Sequence, residues 1–197
     1  MLYADLMKPG DMKIAKTFRE VGCSRAQEIH SKELVYLGRG VNARAYKLPS
    51  GNIIRVEREV NENGWHSWMK KVVVKDKTSM TAKVGIYETF EDRDSGNTAC
   101  ISIQERLYTI NTSLKAFQGM SKIGHAVANI VTDDDPMYRW RKECEVAKNL
   151  HRFFPQAEVE PFAELVRSSH LDLNDTHMGN IMFRKHGERV ILTDPVN

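Results

Sequence analysis

The chain has 197 residues, 41% hydrophobic and 28% charged, which suffices for one compact domain or two small lobes and is too apolar for a disordered segment. A net charge of +3 is too mild to imply a nucleic-acid partner, and Lys70, Lys71, Lys75 and Lys77 read as a solvated helix end rather than a phosphate track. Cys23, Cys100 and Cys144, widely spaced and without a C-x-x-C pair, argue for buried thiols in a reducing compartment and against structural zinc; no apolar run approaches a membrane span, and Met1 to Asp5 lacks the plan of a signal peptide, so a cytoplasmic protein is expected.

In chain order, Met12, Ile14, Ala15, Phe18, Val21, Cys23 and Ile29 recur at roughly helical spacing and predict one or two helices. From Leu34 the pattern changes to two short strands joined at Gly38 and Gly40. Pro49-Ser50-Gly51-Asn52 then turns into a third strand, Ile53 to Glu57. A dinucleotide fold would run strand, glycines, helix. Here β-branched and aromatic residues resume after Asn42, so backbone N–H groups exposed at Gly38 and Gly40 are placed to lie over phosphates, the plainer alternative being a tight turn. Alternation puts Ile53 and Arg55 on one face of the third strand; the plainer alternative for Arg55 is a surface position on an edge strand.

Glu62-Asn63-Gly64, then Trp65, Trp68, Met69 and Val72, predict a helix start followed by a core-facing apolar stripe. Thr81 to Phe90 and Thr98 to Leu107 read as a hairpin turned at Asp94-Ser95-Gly96-Asn97. A helix is expected from about Asn111 through Leu114, Phe117, Ile123, Val127 and Ile130. Asp133-Asp134-Asp135-Pro136 reads as a cap rather than a metal site, opening a helix that runs to about Phe154; Pro161 is expected to start another through Phe162, Leu165 and Val166.

The last stretch carries the chemistry. Leu173-Asn174-Asp175-Thr176-His177-Met178-Gly179-Asn180 leads into the apolar run Ile181-Met182-Phe183, and Val190-Ile191-Leu192-Thr193 leads to Asp194-Pro195. An Asp, an Asn five residues later, an apolar hairpin and a second Asp is the order in which a phosphoryl-transfer site presents its base and its magnesium ligands. Asp175 would accept the proton of the attacking hydroxyl, and Asn180 and Asp194 would give hard oxygen donors to Mg2+. His170-Leu171-Asp172 mimics the H-R-D of a kinase loop, but from Asp172 the ligand position falls on His177, a poor magnesium ligand. The Asp175 register leaves the usual His and Arg braces absent, so bracing must come from elsewhere. His177 either steadies the transferring phosphate when protonated or only positions the loop.

Asp-x-His-x-Gly-Asn-Ile-Met-Phe followed by Ile-Leu-Thr-Asp-Pro-Val resembles the early serine/threonine protein kinases of short-tailed coliphages, strongly over residues 173 to 196, fairly over 34 to 56 and faintly between. Asp-x-His-x-Gly-Asn also occurs in aminoglycoside-type phosphotransferases. The resemblance implies an α+β, bilobal protein-kinase-like fold: a helical segment over 1–33, a lobe over 34–110 with a small antiparallel sheet and one helix, and a mostly helical, truncated lobe over 111–197. It implies Gly38, Gly40, Ala45, Ile53 and Arg55 as ATP contacts, with Arg55 where the V-A-I-K strand has Lys, a swap that is not conservative at a phosphate. Gln104 to Tyr108 would be the hinge, with Glu105 and Leu107 beside the adenine, and Glu62 the nearest acid to pair with Arg55. The implied activity is ATP- and magnesium-dependent phosphorylation of Ser or Thr in host bacterial proteins, in the cytoplasm of the infected cell, without nucleic-acid or membrane partners. Two alternatives stay open: a non-catalytic kinase-like protein that binds and inhibits a host factor, and a small-molecule phosphotransferase.

Overall fold

The computed structural model describes residues 2–39, 43–60, 64–109, 120–171, 173, 180–184 and 189–193. The fold is α+β, and the chain divides into two compact units, Met1–Asn61 with Lys83–Arg106 and Glu62–Ala82 with Leu107–Asn197. The first unit takes in 1–33 together with the strands that follow it, and 62–82 falls in the second.

The first unit opens with a short 3-10 turn, Ala4–Leu6, and two helices, α1 (Pro9–Val21) and α2 (Cys23–Ile29). They are separated at Gly22, whose φ of 91° lies where side chains are rarely tolerated. β1 (Val35–Arg39), β2 (Ala43–Lys47), β3 (Ile53–Glu57), β4 (Val84–Glu91) and β5 (Thr98–Gln104) form one antiparallel sheet in the order β1-β2-β3-β5-β4. Alternation along the strands divides the sheet. Tyr46, Ile54, Val56, Ile86, Ala99, Ile101 and Ile103 are buried in one cluster with Ile14, Phe18 and Ala26 of the two helices. Of the apolar residues noted at helical spacing, Met12, Ile14, Ala15, Phe18, Val21 and Cys23 pack on this face, whereas Ile29 is exposed. The hairpin between β4 and β5 turns over Asp92 to Asn97, with Asp92 N–H bonded to Asn97 O at 2.8 Å and Gly96 at φ 71°.

In the second unit, α3 (Trp65–Trp68) runs on into a π-helical turn, Met69–Val73, and Trp65, Trp68, Met69 and Val72 are buried as their stripe predicts. β6 (Tyr108–Thr109), β7 (Ile181–Phe183) and β8 (Val190–Leu192) form a small antiparallel sheet in that order. Around it lie α4 (Met120–Thr132), α5 (Pro136–Val146), α6 (Leu150–Phe153) and α7 (Gln156–Ser169). Ile123, Val127 and Ile130 are buried on α4, while Leu114 and Phe117 lie outside the described residues. Asp135 caps α5 as expected, its Oδ1 accepting from Tyr138 N–H at 2.9 Å with Pro136 at the first helical position.

Two helix boundaries differ from expectation. α5 stops at Val146 instead of reaching Phe154; the chain turns at Ala147 to Asn149, which lets Leu150, Phe153 and Phe154 be buried and Phe154 O accept from Trp140 Nε1–H at 2.9 Å. α7 starts at Gln156, after the extended Pro155, so Pro161 sits inside the helix rather than at its start. There Val159, Phe162, Ala163 and Val166 are buried, and that packing outweighs the one backbone hydrogen bond Pro161 cannot make. No helix among the described residues is long and apolar enough to cross a membrane.

Candidate functional site

The sequence-derived site residues fall into three sets. Gly38, Ala45, Ile53, Arg55 and Glu105 belong to the first unit, and Leu107 and Asn180 to the second. Gly40, Asp175, His177 and Asp194 lie outside the described residues, as do Glu62 and Asp172.

In the first unit the sheet register aligns residues that sequence reasoning had linked only by motif. Gly38 pairs with Ala45, Ala45 with Arg55, and Arg55 with Ser102, which pairs in turn with Tyr87. Ile53 shares the face of Arg55, two residues earlier on β3. This is the face opposite the α1 and α2 cluster, because β3 turns Ile54 and Val56 toward those helices. β3 is internal to the sheet, flanked by β2 and β5, so Arg55 is not an edge-strand surface residue; it is half-buried. A Cβ at Gly38 would meet nothing within 4 Å, and its φ is not in the left-handed region, so no packing among the described residues demands glycine there.

The same face carries polar groups that sequence reasoning missed. Glu57 is buried and lies two residues beyond Arg55; its partner across β5 is Cys100. The Cys100 thiol donates to Glu57 Oε2 at 3.5 Å. Burial and the Glu57 carboxylate push this thiol well above its ordinary range, with the Arg55 guanidinium pulling the other way. Tyr87 is likewise held above the usual phenol range by burial, then by Cys100 and Glu57. The alternation Ile53, Arg55, Glu57 was the available signal for this acid. Cys23 is also buried, its thiol pushed up to about 12 by burial and the neighbouring Asp92 carboxylate, whereas Cys144, expected to be buried, is only half-buried. High thiol values of this kind mark inert cysteines.

At the expected hinge, Glu105 N–H donates to Lys83 O at 2.9 Å, and Lys83 N–H donates to Glu105 Oε1 at 2.8 Å. The expected hinge runs into β6, which begins at Tyr108 and was not foreseen from sequence.

In the second unit β7 and β8 pair as Ile181 with Leu192, Met182 with Ile191 and Phe183 with Val190. One step further, Thr193 N–H donates to Asn180 O at 3.0 Å. Asn180 is thus held opposite the residue that directly precedes Asp194 in the chain. Phe183 and all of β8 are buried, and Phe183 meets Phe153 edge-on at 6.3 Å.

Residues 76 to 81 brace the β7–β8 hairpin; the segment 174–179, where bracing was expected to be needed, lies outside the described residues. Leu192 N–H donates to Met80 O at 3.1 Å, and Thr81 bridges Leu192 in parallel. Arg184, the residue after β7, donates from Nη1 to Ser79 O at 2.8 Å and from Nη2 to Thr81 O at 3.1 Å. Buried Asp76 holds that loop in shape by accepting from the N–H and hydroxyl of Thr78 (2.7 and 2.6 Å) and of Thr81 (2.9 and 2.8 Å). On the other side Arg189 reaches Glu158 of α7 through both guanidinium nitrogens, at 3.2 and 3.0 Å. Burial raises the Glu158 carboxyl, Arg189 lowers it, and Asp76 raises it again, leaving it above the ordinary value. His170, which opens the rejected His-x-Asp register, ends α7 in the left-handed conformation with φ 54°.

Among the described residues no group of three or more His, Cys, Asp or Glu side chains could hold a metal. No protein-family model matches the chain, and no curated protein matches it.

Proposed function

We propose that the chain is an ATP-dependent phosphotransferase of protein-kinase-like architecture, acting on Ser or Thr hydroxyls of host bacterial proteins. The observation that carries the proposal is the hydrogen bond from Thr193 N–H to Asn180 O, which extends the β7–β8 register to the two segments expected to bear the metal ligands. The donor set suits a hard cation: Asn180 through its amide oxygen and Asp194 through its carboxylate would hold magnesium, which when bound neutralises charge on the phosphate oxygens of ATP.

The chain's own residues would do the rest. Asp175 takes the hydroxyl proton of the substrate, and His177 positions the loop or steadies the phosphate. Arg55 can offer a two-pronged contact to phosphate oxygens, and its row with Ala45 and Gly38 puts a small side chain and a bare backbone in line with it. A Gly38 that no packing among the described residues requires is what close approach of a ligand to the backbone would explain.

Calorimetry with Mg-ATP tests the proposal: the intact chain should bind, and Asp194→Asn should lose the magnesium-dependent part of the thermal shift. Absence of any ATP binding by the intact chain with magnesium present sinks it. The second reading, a non-catalytic protein that binds a host factor, is favoured by one observation, the Arg at position 55 where phosphoryl-transfer enzymes of this type use Lys. If Asp175→Asn retains the full effect on host cells, that second reading replaces the first.

A further inference from the structure

One corner of the first unit gathers positive charge without its counterpart. Arg39 at the end of β1 and Arg44 at the start of β2 are direct cross-strand partners, and Arg44 pairs in turn with Val56, two residues before Arg58. Like charges set opposite one another in a sheet repel. Arg44 and Arg58 both reach the α2 side of the sheet: Arg44 Nη1 donates to Gln27 Oε1 at 2.9 Å, and Arg58 Nη2 donates to Ser24 Oγ at 2.9 Å. This is the face opposite to that of Arg55, because Tyr46, Ile54 and Val56 share it.

Both anchors are neutral, so neither offsets the charge it holds. The acids around α2 are committed elsewhere: Asp92 and Asp94 accept from the N–H groups of Cys23 and Ser24, and Glu28 pairs with Arg25 at 2.7 Å. Among the described residues no carboxylate forms an ion pair with Arg39, Arg44 or Arg58. Acceptors are short as well. A guanidinium can only donate, so Gln27 must turn its amide oxygen to Arg44, and its Nε2 is left buried without an acceptor. Arg58 Nε is buried without an acceptor too, whereas buried donors in folded proteins ordinarily have one.

We propose that this corner binds a dianionic phosphate group, carried by a phosphorylated side chain or by a small phosphate compound, among the guanidinium groups of Arg39, Arg44 and Arg58. A phosphate supplies both things the corner lacks: negative charge to offset the repulsion between Arg39 and Arg44, and oxygens that accept from several N–H donors at once. Gln27 and Ser24, three residues apart on α2, already hold Arg44 and Arg58, so little side-chain freedom is lost on binding. Arg39 is exposed and closes on the ligand from the solvent side. The site stands independently of the phosphotransfer reading, whose row of Gly38, Ala45 and Arg55 uses the other face of the sheet.

Titration calorimetry of the full chain, without magnesium or nucleotide, tests this with inorganic phosphate and, in parallel, N-acetyl-phosphoserine amide. Both should bind at one site; tighter binding of the phosphoserine probe assigns the seat to a modified side chain, and equal binding assigns it to a small phosphate compound. Arg44→Gln and Arg58→Gln should each weaken binding about tenfold or more. Arg25→Gln removes the same charge from the neighbouring helix, but Arg25 is already paired with Glu28, so this variant should bind as the parent does. Circular dichroism checks that each variant is folded. Absence of binding at about 10 mM phosphate overturns the proposal. So does an equal loss in Arg25→Gln, which would show diffuse attraction, or a loss in Arg55→Gln with none in Arg44→Gln, which would put the phosphate on the other face.

Discussion

Asp92, in the turn between β4 and β5, accepts a hydrogen bond from the backbone N–H of Cys23 at 2.7 Å, so a hairpin turn caps a helix 69 residues earlier in the chain. Asp94 does the same for Ser24 N–H at 2.5 Å. The first turn of a helix leaves its N–H groups without intrahelical acceptors, and α2 has no side-chain cap of its own. Burial opposes the ionised form of Asp92, but the bonds from Cys23, Ser95 and Asp94 outweigh it and hold this carboxyl below the usual value. A folded pKa depressed below the unfolded one contributes stability that is present above the unfolded value of about 4 and is lost as pH falls toward the folded one. Urea unfolding should therefore show Asp92→Asn less stable than the parent at pH 7, with the gap narrowing below about pH 4. A gap independent of pH would show that the charge on Asp92 plays no part.

Gly22 precedes this capped turn. With φ 91° and ψ 164° it occupies a region nearly closed to other residues, and a Cβ there would stand 2.8 Å from Asp94 Cγ. Gly22→Ala should cost about 1–3 kcal/mol in urea unfolding, through backbone strain and displacement of Asp94. Asp94→Ala should relieve the contact but not the strain, so the double variant should remain less stable than Asp94→Ala alone.

Arg184 and Asp76 form the brace of the β7–β8 hairpin. Arg184→Ala removes donors from Ser79 O and Thr81 O and should destabilise by about 1–3 kcal/mol. Hydrogen exchange should rise at Leu192 N–H, which rests on the same loop through Met80 O. Unchanged exchange at Leu192 would mean that the loop holds the hairpin without Arg184. If the phosphotransfer proposal holds, the same substitution should also weaken magnesium-dependent ATP binding.

The choice of catalytic register is testable directly. On the phosphotransfer proposal, Asp175→Asn should leave nucleotide affinity nearly intact and lower phosphoryl transfer about a hundredfold or more, the scale for loss of a positioned proton acceptor. Asp172→Asn should do far less. Equal losses, or a larger loss at Asp172, would show that the Asn at position 180 is not matched to Asp175.

Legibility in the sequence followed the range of the interaction. The strands at 35–39, 43–47, 53–57, 84–91 and 98–104, the Asp135 cap and the apolar stripe of Trp65 to Val72 all repeat with a local period or occupy a fixed offset, so neighbouring residues announce them. The end of α5 at Val146 and the start of α7 at Gln156 were misjudged because both depend on which apolar residues find partners elsewhere. Pro161 is a strong local signal that packing of Val159, Phe162 and Val166 overrode.

Sequence alone therefore determined the α+β class, the alternating faces of the sheet and the pairing of two apolar runs around residues 181–183 and 190–192. Tertiary structure alone decided that Gly38, Ala45 and Arg55 stand in one row, that Glu57 and Cys100 meet, that 62–82 belongs with the second unit, and that Asp76 and Arg184 brace the hairpin. Several of those contacts join residues far apart in the chain, Arg184 reaching back more than a hundred positions to Ser79 and Thr81. A carboxylate or guanidinium has no sequence period that names its distant partner; only the register of the strands and the closure of the loops bring the two together.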